Sequence, residues 1–183
     1  MSAKTITAEA RQEAIDRAQS TYGFVPNLMQ AMADGNPVTL HAYLDGSAVI
    51  GKGVLTHAEQ QAVMLAISAY NSCHYCTAAH RTIGKGAGID GDDLVRIDRG
   101  ENPQDERLAA LVIATRRLLD QRGFLDDDDQ SELAELGVDR AQLYEIITIV
   151  GLKTITNYVN HLARTEIDPP FQAEATRQPG QAT

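Results

Sequence analysis

From Asp139 to Thr165 the chain runs for about seven helical turns without a proline. Its apolar residues there are Leu143, Ile146, Ile147, Ile149, Val150, Leu152, Ile155, Tyr158, Val159 and Leu162. They cover more than one stripe of a helix. Such a segment has to be covered on more than one side, either as the central helix of a bundle or by a second subunit. This favours an all-α fold, and the rest of the chain reads the same way.

Helical segments follow one another with short, well-marked breaks. Thr7 is placed to cap a first amphipathic helix that ends near Gly23. Pro26 opens the short run NLMQAMAD, which Gly35 stops, and Pro37 opens VTLHAYLDGSAVI, closed by Gly51 and Gly53. Thr56 precedes HAEQQAVMLAISAY, where Val63, Ala66, Ile67 and Tyr70 form the apolar stripe. A further helix ends around Gly84 to Gly88, a short one lies near DDLVRI, and a long one spans DERLAALVIATRRLLDQRG. The DDDD run at 126–129 reads as a solvated loop and a helix N-terminus, because acidic groups suit that end of the dipole; it lacks the ligand alternation of a calcium loop. At 183 residues the chain is expected to form a single domain over 1–168. The polar tail 169–183 has little to bury beyond Phe171, and is expected to be extended or loose unless a neighbouring subunit holds it.

Charge and cysteine usage narrow the function. A net charge of −9 and a pI near 4.9 argue against a nucleic-acid groove or an anionic membrane patch. The N-terminal MSAKTITAEARQEAID lacks an apolar signal core, and no run approaches membrane-spanning length, so a cytoplasmic protein is expected. Both cysteines fall in one turn, SCHYCTAAH, as Cys73 and Cys76, with His80 four residues further on. At 100° per residue these three side chains lie within roughly 60° of one another on a helix. Asn71 and Ser72 interrupt the preceding apolar run, and Ser72 is of N-cap type, which would set both sulfurs beside the free N–H groups of a new helix. A thiolate is favoured there by the helix dipole and by an imidazole, and a close cysteine pair in a reducing compartment is more often catalytic than structural. Buried packing is the plainer use of such residues. A structural zinc site would need a fourth ligand, from His57 or His161 by tertiary contact. Covalent haem would need a histidine where Thr77 stands, and no strand precedes the motif as in a thioredoxin-like domain. The redox use accounts best for the segment.

The stretch 55–89, LTHAEQQAVMLAISAYNSCHYCTAAHRTIGKGAGI, with its N-x-C-x-x-C-x-x-x-H run, resembles the carboxymuconolactone decarboxylase and AhpD-like alkylhydroperoxidase family. The flanks FVPNLMQAMADGNPVTLHAYLDG and NYVNHLARTEIDPPF are similar to its peroxidase-related members, so the likeness extends from Phe24 to Phe171. The resemblance implies an AhpD-like helical bundle that forms homo-oligomers, commonly trimers or hexamers. It implies a thiol peroxidase without a bound cofactor, acting on small hydroperoxides. Cys76 would be the peroxidatic thiol, Cys73 the resolving thiol, and His80 part of the proton relay. The electron donor would be a dithiol such as a protein-bound lipoyl group, and in some cases a peroxiredoxin would receive the electrons. Lactone decarboxylation, suggested by the family name, would not need two cysteines. A non-catalytic redox sensor would use the same disulfide as a switch.

One position departs from the family pattern. The relay glutamate is expected twelve residues before the first cysteine, where this chain has Gln61; the nearest acid is Glu59. The two differ by about 200° around a helix, so one does not simply replace the other. Either Glu59 faces the thiols through a different helix rotation, or Gln61 orients a water, or the peroxide chemistry is weak. Glu59 is the acidic candidate for the site, with a first-turn helix-stabilising role as its competing use. Tyr75 could donate its hydroxyl to the site or simply pack, and His161 is expected as a core histidine or an interface residue.

Overall fold

The computed structural model describes residues 5–175. Among them the regular structure is helical throughout: α1 (Ala8–Tyr22), α2 (Asn27–Gly35), α3 (Pro37–Ile50), α4 (His57–Tyr70), α5 (His74–Gly86), α6 (Gly91–Asp98), α7 (Glu106–Asp120), α8 (Asp127–Glu135) and α9 (Arg140–Ala163), followed by a 3-10 turn, Pro169–Glu174. None of these helices is long and apolar enough to cross a membrane.

Local chemistry sets the boundaries. The Thr7 hydroxyl accepts from the Ala10 N–H, and Gly23 closes α1 in the left-handed conformation (φ 78°) that a Cβ would strain. Asn36 caps α3 ahead of Pro37, Asp105 caps α7, and Asp139 with Gln142 forms a capping box on α9. The acidic run behaves as its composition suggests, with Asp126 capping α8 and Asp127, Asp128 and Asp129 filling its first turn.

Helix α4 is the most enclosed element. Its Val63 and Ile67 pack against α7 and α9 (Leu111, Ala114, Ile146, Ile149), while Ala62, Leu65 and Ala66 pack against α6 and α7 (Leu94, Ile97, Val112). Of the expected stripe, Val63, Ala66 and Ile67 are buried, but Tyr70 is exposed at the helix end. A separate core joins α1, α2 and α3 to the C-terminal half of α9. Helix α9 turns Leu143, Ile146, Ile149, Lys153, Thr156, Asn157 and Asn160 inward and leaves Tyr144, Ile147, Tyr158 and Leu162 facing out.

The segment after α9 differs from the expectation. Residues 166–174 are strapped across the helices rather than loose. Asp168, only 4 % exposed, accepts from the backbone N–H of Asn27 and from the Tyr75 hydroxyl. Pro26 has no side chain to cap α2, so a carboxylate from the far end of the chain does so. Phe171 packs edge-on against Tyr75 (ring centroids 6.2 Å apart), and Glu174 pairs with Arg81 at 3.1 Å and Lys85 at 3.0 Å. The remainder of the expected tail, 176–183, lies outside the described residues.

Candidate active site

The turn between α4 and α5 positions the sulfurs. Ser72 has a left-handed backbone (φ 54°), and the Cys73 N–H reaches back to the Ser68 carbonyl at 2.9 Å, a Schellman-type end to α4. Ser72 therefore terminates α4 instead of capping α5, as the sequence reading had it. The N-cap of α5 is Cys73 itself, and Cys76 sits at the third helical position, still among the unpaired N–H groups. His74 faces out, whereas Cys73, Tyr75, Cys76 and His80 face in.

Both cysteines are free thiols, 0 % and 2 % exposed. Their environments push them apart. A hydrogen bond from Cys73, opposed by burial and supported by the Lys153 ammonium and the Asn157 amide, lowers Cys76 to about 6. The same hydrogen bond and burial raise Cys73. Cys76 is thus the thiolate and Cys73 the neutral thiol that donates to it. The Asn160 amide reaches the Cys73 sulfur at 3.5 Å.

His80 is buried, with its ring bracketed on both nitrogens. Nδ1 lies 2.8 Å from Gln61 Oε1, and Nε2 lies 2.7 Å from Lys153 Nζ. An ammonium can only donate, so Nε2 accepts, Nδ1 carries the proton, and Gln61 presents its oxygen. Burial, then the Lys153 charge, holds the imidazole well below its ordinary range, and the ring is neutral. A carboxylate at position 61 would have drawn His80 toward the imidazolium; an amide does not.

Cys76 opens onto a cavity of about 220 Å³. Its walls are largely aromatic and aliphatic (Tyr22, Phe24, Leu28, Met29, Tyr43, Tyr75, Ile83 and Phe171), with Cys76, His80 and Lys153 supplying the polar end. Cys73 does not line it. Tyr75 directs its hydroxyl to Asp168, away from the sulfurs, and burial followed by that carboxylate raises its phenol, which stays neutral. It is a wall and an anchor for the strap.

Of the expected site residues, Cys73, Cys76 and His80 come together, and Glu59 does not. Glu59 lies at the third position of α4, where its carboxylate accepts from the Thr56 N–H at 2.7 Å and from Arg107 Nε at 2.5 Å. A capping box and an ion pair fix it at the helix end, and Gln61 alone meets His80. Nor is His161 a core residue: it is exposed and stacked on Tyr158. His57 is exposed at the start of α4, and among the described residues no group of three or more His, Cys, Asp or Glu side chains is placed to hold a metal ion. Sequence reasoning missed Lys153, Asn157 and Asn160. The available signal was their spacing, which puts three polar side chains on one face of the most apolar helix.

The carboxymuconolactone decarboxylase family model matches residues 37–99, a span from the start of α3 to just past α6 that includes Gln61, both cysteines and His80. No curated protein matches the chain. A peroxidase-related protein from a Silicibacter species superposes over 92 % of this chain and 90 % of its own, with 22 % identity and a TM-score of 0.73. The AhpD core of a peroxidase-related protein from Ralstonia eutropha covers 91 % of this chain and 88 % of its own, with 21 % identity and a TM-score of 0.75. The debrominase Bmp8, in a complex with 2,3,4-tribromopyrrole, covers 93 % and 92 %, with 17 % identity and a TM-score of 0.69. Residues 37–99 are thus similar to the carboxymuconolactone decarboxylase family, and the chain has an all-α fold that it shares with an AhpD core.

Proposed function

We propose that the protein is a dithiol peroxidase that reduces small organic hydroperoxides. The observation that carries this reading is the division of labour between the sulfurs. Cys76 is the favoured thiolate and lines the cavity, while Cys73 stands behind it as a neutral thiol. Cys76 attacks the terminal peroxide oxygen; the O–O bond breaks, giving a Cys76 sulfenic acid and an alcohol. Cys73 then displaces the hydroxyl as water and closes the disulfide. An external dithiol, of which a lipoyl group is one source, restores both thiols, with a peroxiredoxin as a further acceptor of the electrons. No bound cofactor is required. The aromatic walls favour a hydroperoxide with an apolar organic group, since an apolar cavity of ~150 Å³ already admits a benzene ring. The outward apolar residues of α9 support assembly into a homo-oligomer, for which a trimer or hexamer is the family expectation.

The test is steady-state reduction of cumene hydroperoxide with dihydrolipoamide. Cys76→Ser should abolish turnover, and Cys73→Ser should permit one fast oxidation without recycling. Wild-type turnover in Cys76→Ser would refute the assignment.

The cavity also supports a second reading. A buried dithiol beneath aromatic walls fits reductive dehalogenation, in which the thiolate takes the halogen from an aromatic ring, the ring carbon takes a proton, and Cys73 closes the disulfide with release of halide. Bromide release from 2,3,4-tribromopyrrole, without peroxide turnover, would select it.

A further inference from the structure

On the peroxidase reading above, the usual proton carrier would be His80, but its two nitrogens are already committed. Its Nδ1–H is given to Gln61, and the Nε2 lone pair accepts from Lys153 at 2.7 Å. A ring in this state has no free site to take a proton from Cys76, and no acidic proton facing the sulfur. Lys153, by contrast, is 2 % exposed, and none of the ion pairs among the described residues includes it. Burying an ammonium without an anion is costly, so a charge partner is expected nearby. Lys153 shares the cavity wall with Cys76, whose thiolate its charge favours. One turn further along α9, Asn157 is fully buried; its Oδ1 accepts from Asn71 at 2.9 Å, while its Nδ2 has no hydrogen-bond partner. That amide also favours the Cys76 thiolate. Lys153 and Asn157, at i and i+4, thus share the buried face of α9.

We propose that Lys153 is the counter-ion and proton carrier of Cys76, with Asn157 as a second donor, and that His80 and Gln61 only position it. In the resting site the ion pair is Cys76 thiolate and Lys153 ammonium. The thiolate attacks the terminal oxygen, leaving a Cys76 sulfenic acid and an alkoxide, and Lys153 gives the alkoxide its proton and becomes an amine. The amine takes the Cys73 thiol proton; Cys73 displaces hydroxide from Cys76 to form the disulfide, and the hydroxide receives that proton as water. The site ends as disulfide and amine, and the external dithiol returns two electrons and two protons, one to Cys73 and one to Lys153. Around Cys76 and its cavity the other titratable groups are Tyr22 of α1, Tyr43 of α3, Tyr75 and His80 of α5 and Lys153 of α9, the one lysine or arginine among them.

The experiment follows the pH dependence of Cys76 alkylation by iodoacetamide in the reduced protein, which needs no peroxide turnover. It is set beside the rate of the first reaction with cumene hydroperoxide. Lys153→Met should raise the alkylation midpoint by at least one pH unit, whereas His80→Gln should leave it within half a unit. Lys153→Arg keeps the charge but gives up its proton poorly. It should keep the wild-type midpoint and slow the peroxide reaction by roughly 100-fold, the low end for a lost general acid. A midpoint moved by His80→Gln and not by Lys153→Met would overturn the counter-ion role. Wild-type peroxide reactivity in Lys153→Arg would overturn the proton transfer. If no variant and no wild-type protein consumes peroxide, the alkylation series still decides the counter-ion role, and the failure lies in the peroxidase reading.

Discussion

Tyr75→Phe removes one oxygen and keeps the ring, so it takes away the bond between α5 and the C-terminal strap together with the longer 3.5 Å bond that the hydroxyl accepts from the Leu28 N–H. Asp168 is buried, and it accepts from two donors, the Tyr75 hydroxyl and the Asn27 N–H. A hydrogen bond to a charged group contributes about 1.5–3 kcal/mol. Asn27 still serves the carboxylate in the variant, and the edge-on packing of the ring against Phe171 persists, so a loss near the middle of that range, about 2 kcal/mol, is expected. At about 1.4 kcal/mol per factor of ten, the strap's opening equilibrium rises roughly 30-fold. Hydrogen exchange reads this directly. The Phe171 amide, held by the Asp168 carbonyl at 2.9 Å, and the Ala175 amide should exchange about 30-fold faster, while core amides of α4 and α7 change far less. Because Phe171 lines the cavity, the KM for cumene hydroperoxide should rise more than kcat falls. Exchange at 171 and 175 within threefold of wild type would refute the reasoning, since the strap would then be held by Asn27, Glu174 and packing without the Tyr75 hydroxyl.

Two further outcomes follow from where the acid–base groups sit. Glu59→Gln should leave thiol reactivity unchanged and lower stability by about 1 kcal/mol in chemical denaturation, through the weakened capping box and the lost Arg107 pair. His80 has a depressed folded-state pKa, so below its unfolded value of about 6.5 the unfolded chain takes up a proton that the folded chain refuses. Stability is therefore retained above that value and falls as pH is lowered. Between pH 7.5 and 5.5 the wild type should lose about 1.3 kcal/mol more than His80→Asn, measured by urea unfolding.

The helices were readable because their ends are decided by neighbours in sequence. Thr7, Thr56 and Gly23 act on backbone groups within a few residues, and the structure places their helices within a residue or two of the expected limits. The sulfurs and His80 were readable for the same reason, since two successive turns at the start of one helix fix their common face. What failed was tertiary. Glu59 and Gln61 are two residues apart, and sequence alone did not say which faces α5; packing of α4 between two cores turned Gln61 inward and left Glu59 to its cap. Lys153 stands 73 residues from its partner His80, and Asp168 stands 141 from Asn27. No local pattern announces such pairs, although a lysine and two asparagines along one face of an apolar helix were a visible anomaly. The polar composition of the strap suggests a loose tail, yet Asp168 and Phe171 meet buried Tyr75, and Glu174 meets buried Arg81.

Helix α9 has two occupations. Its inner side holds Asn160 against the Cys73 sulfur and Lys153 against His80, and its outer side presents Tyr144, Ile147, Tyr158 and Leu162, the last 88 % exposed. A helix is a stiff rod only about 10 Å across, so whatever rests on the outside grips the same lever that sets the inside. Turning the rod by about 10° moves a side-chain tip ~6 Å from its axis by about 1 Å, which is enough to part a lysine from a histidine. A partner seated on that outer face would therefore act on the surroundings of the thiols through the helix itself, with no loop required to carry the message.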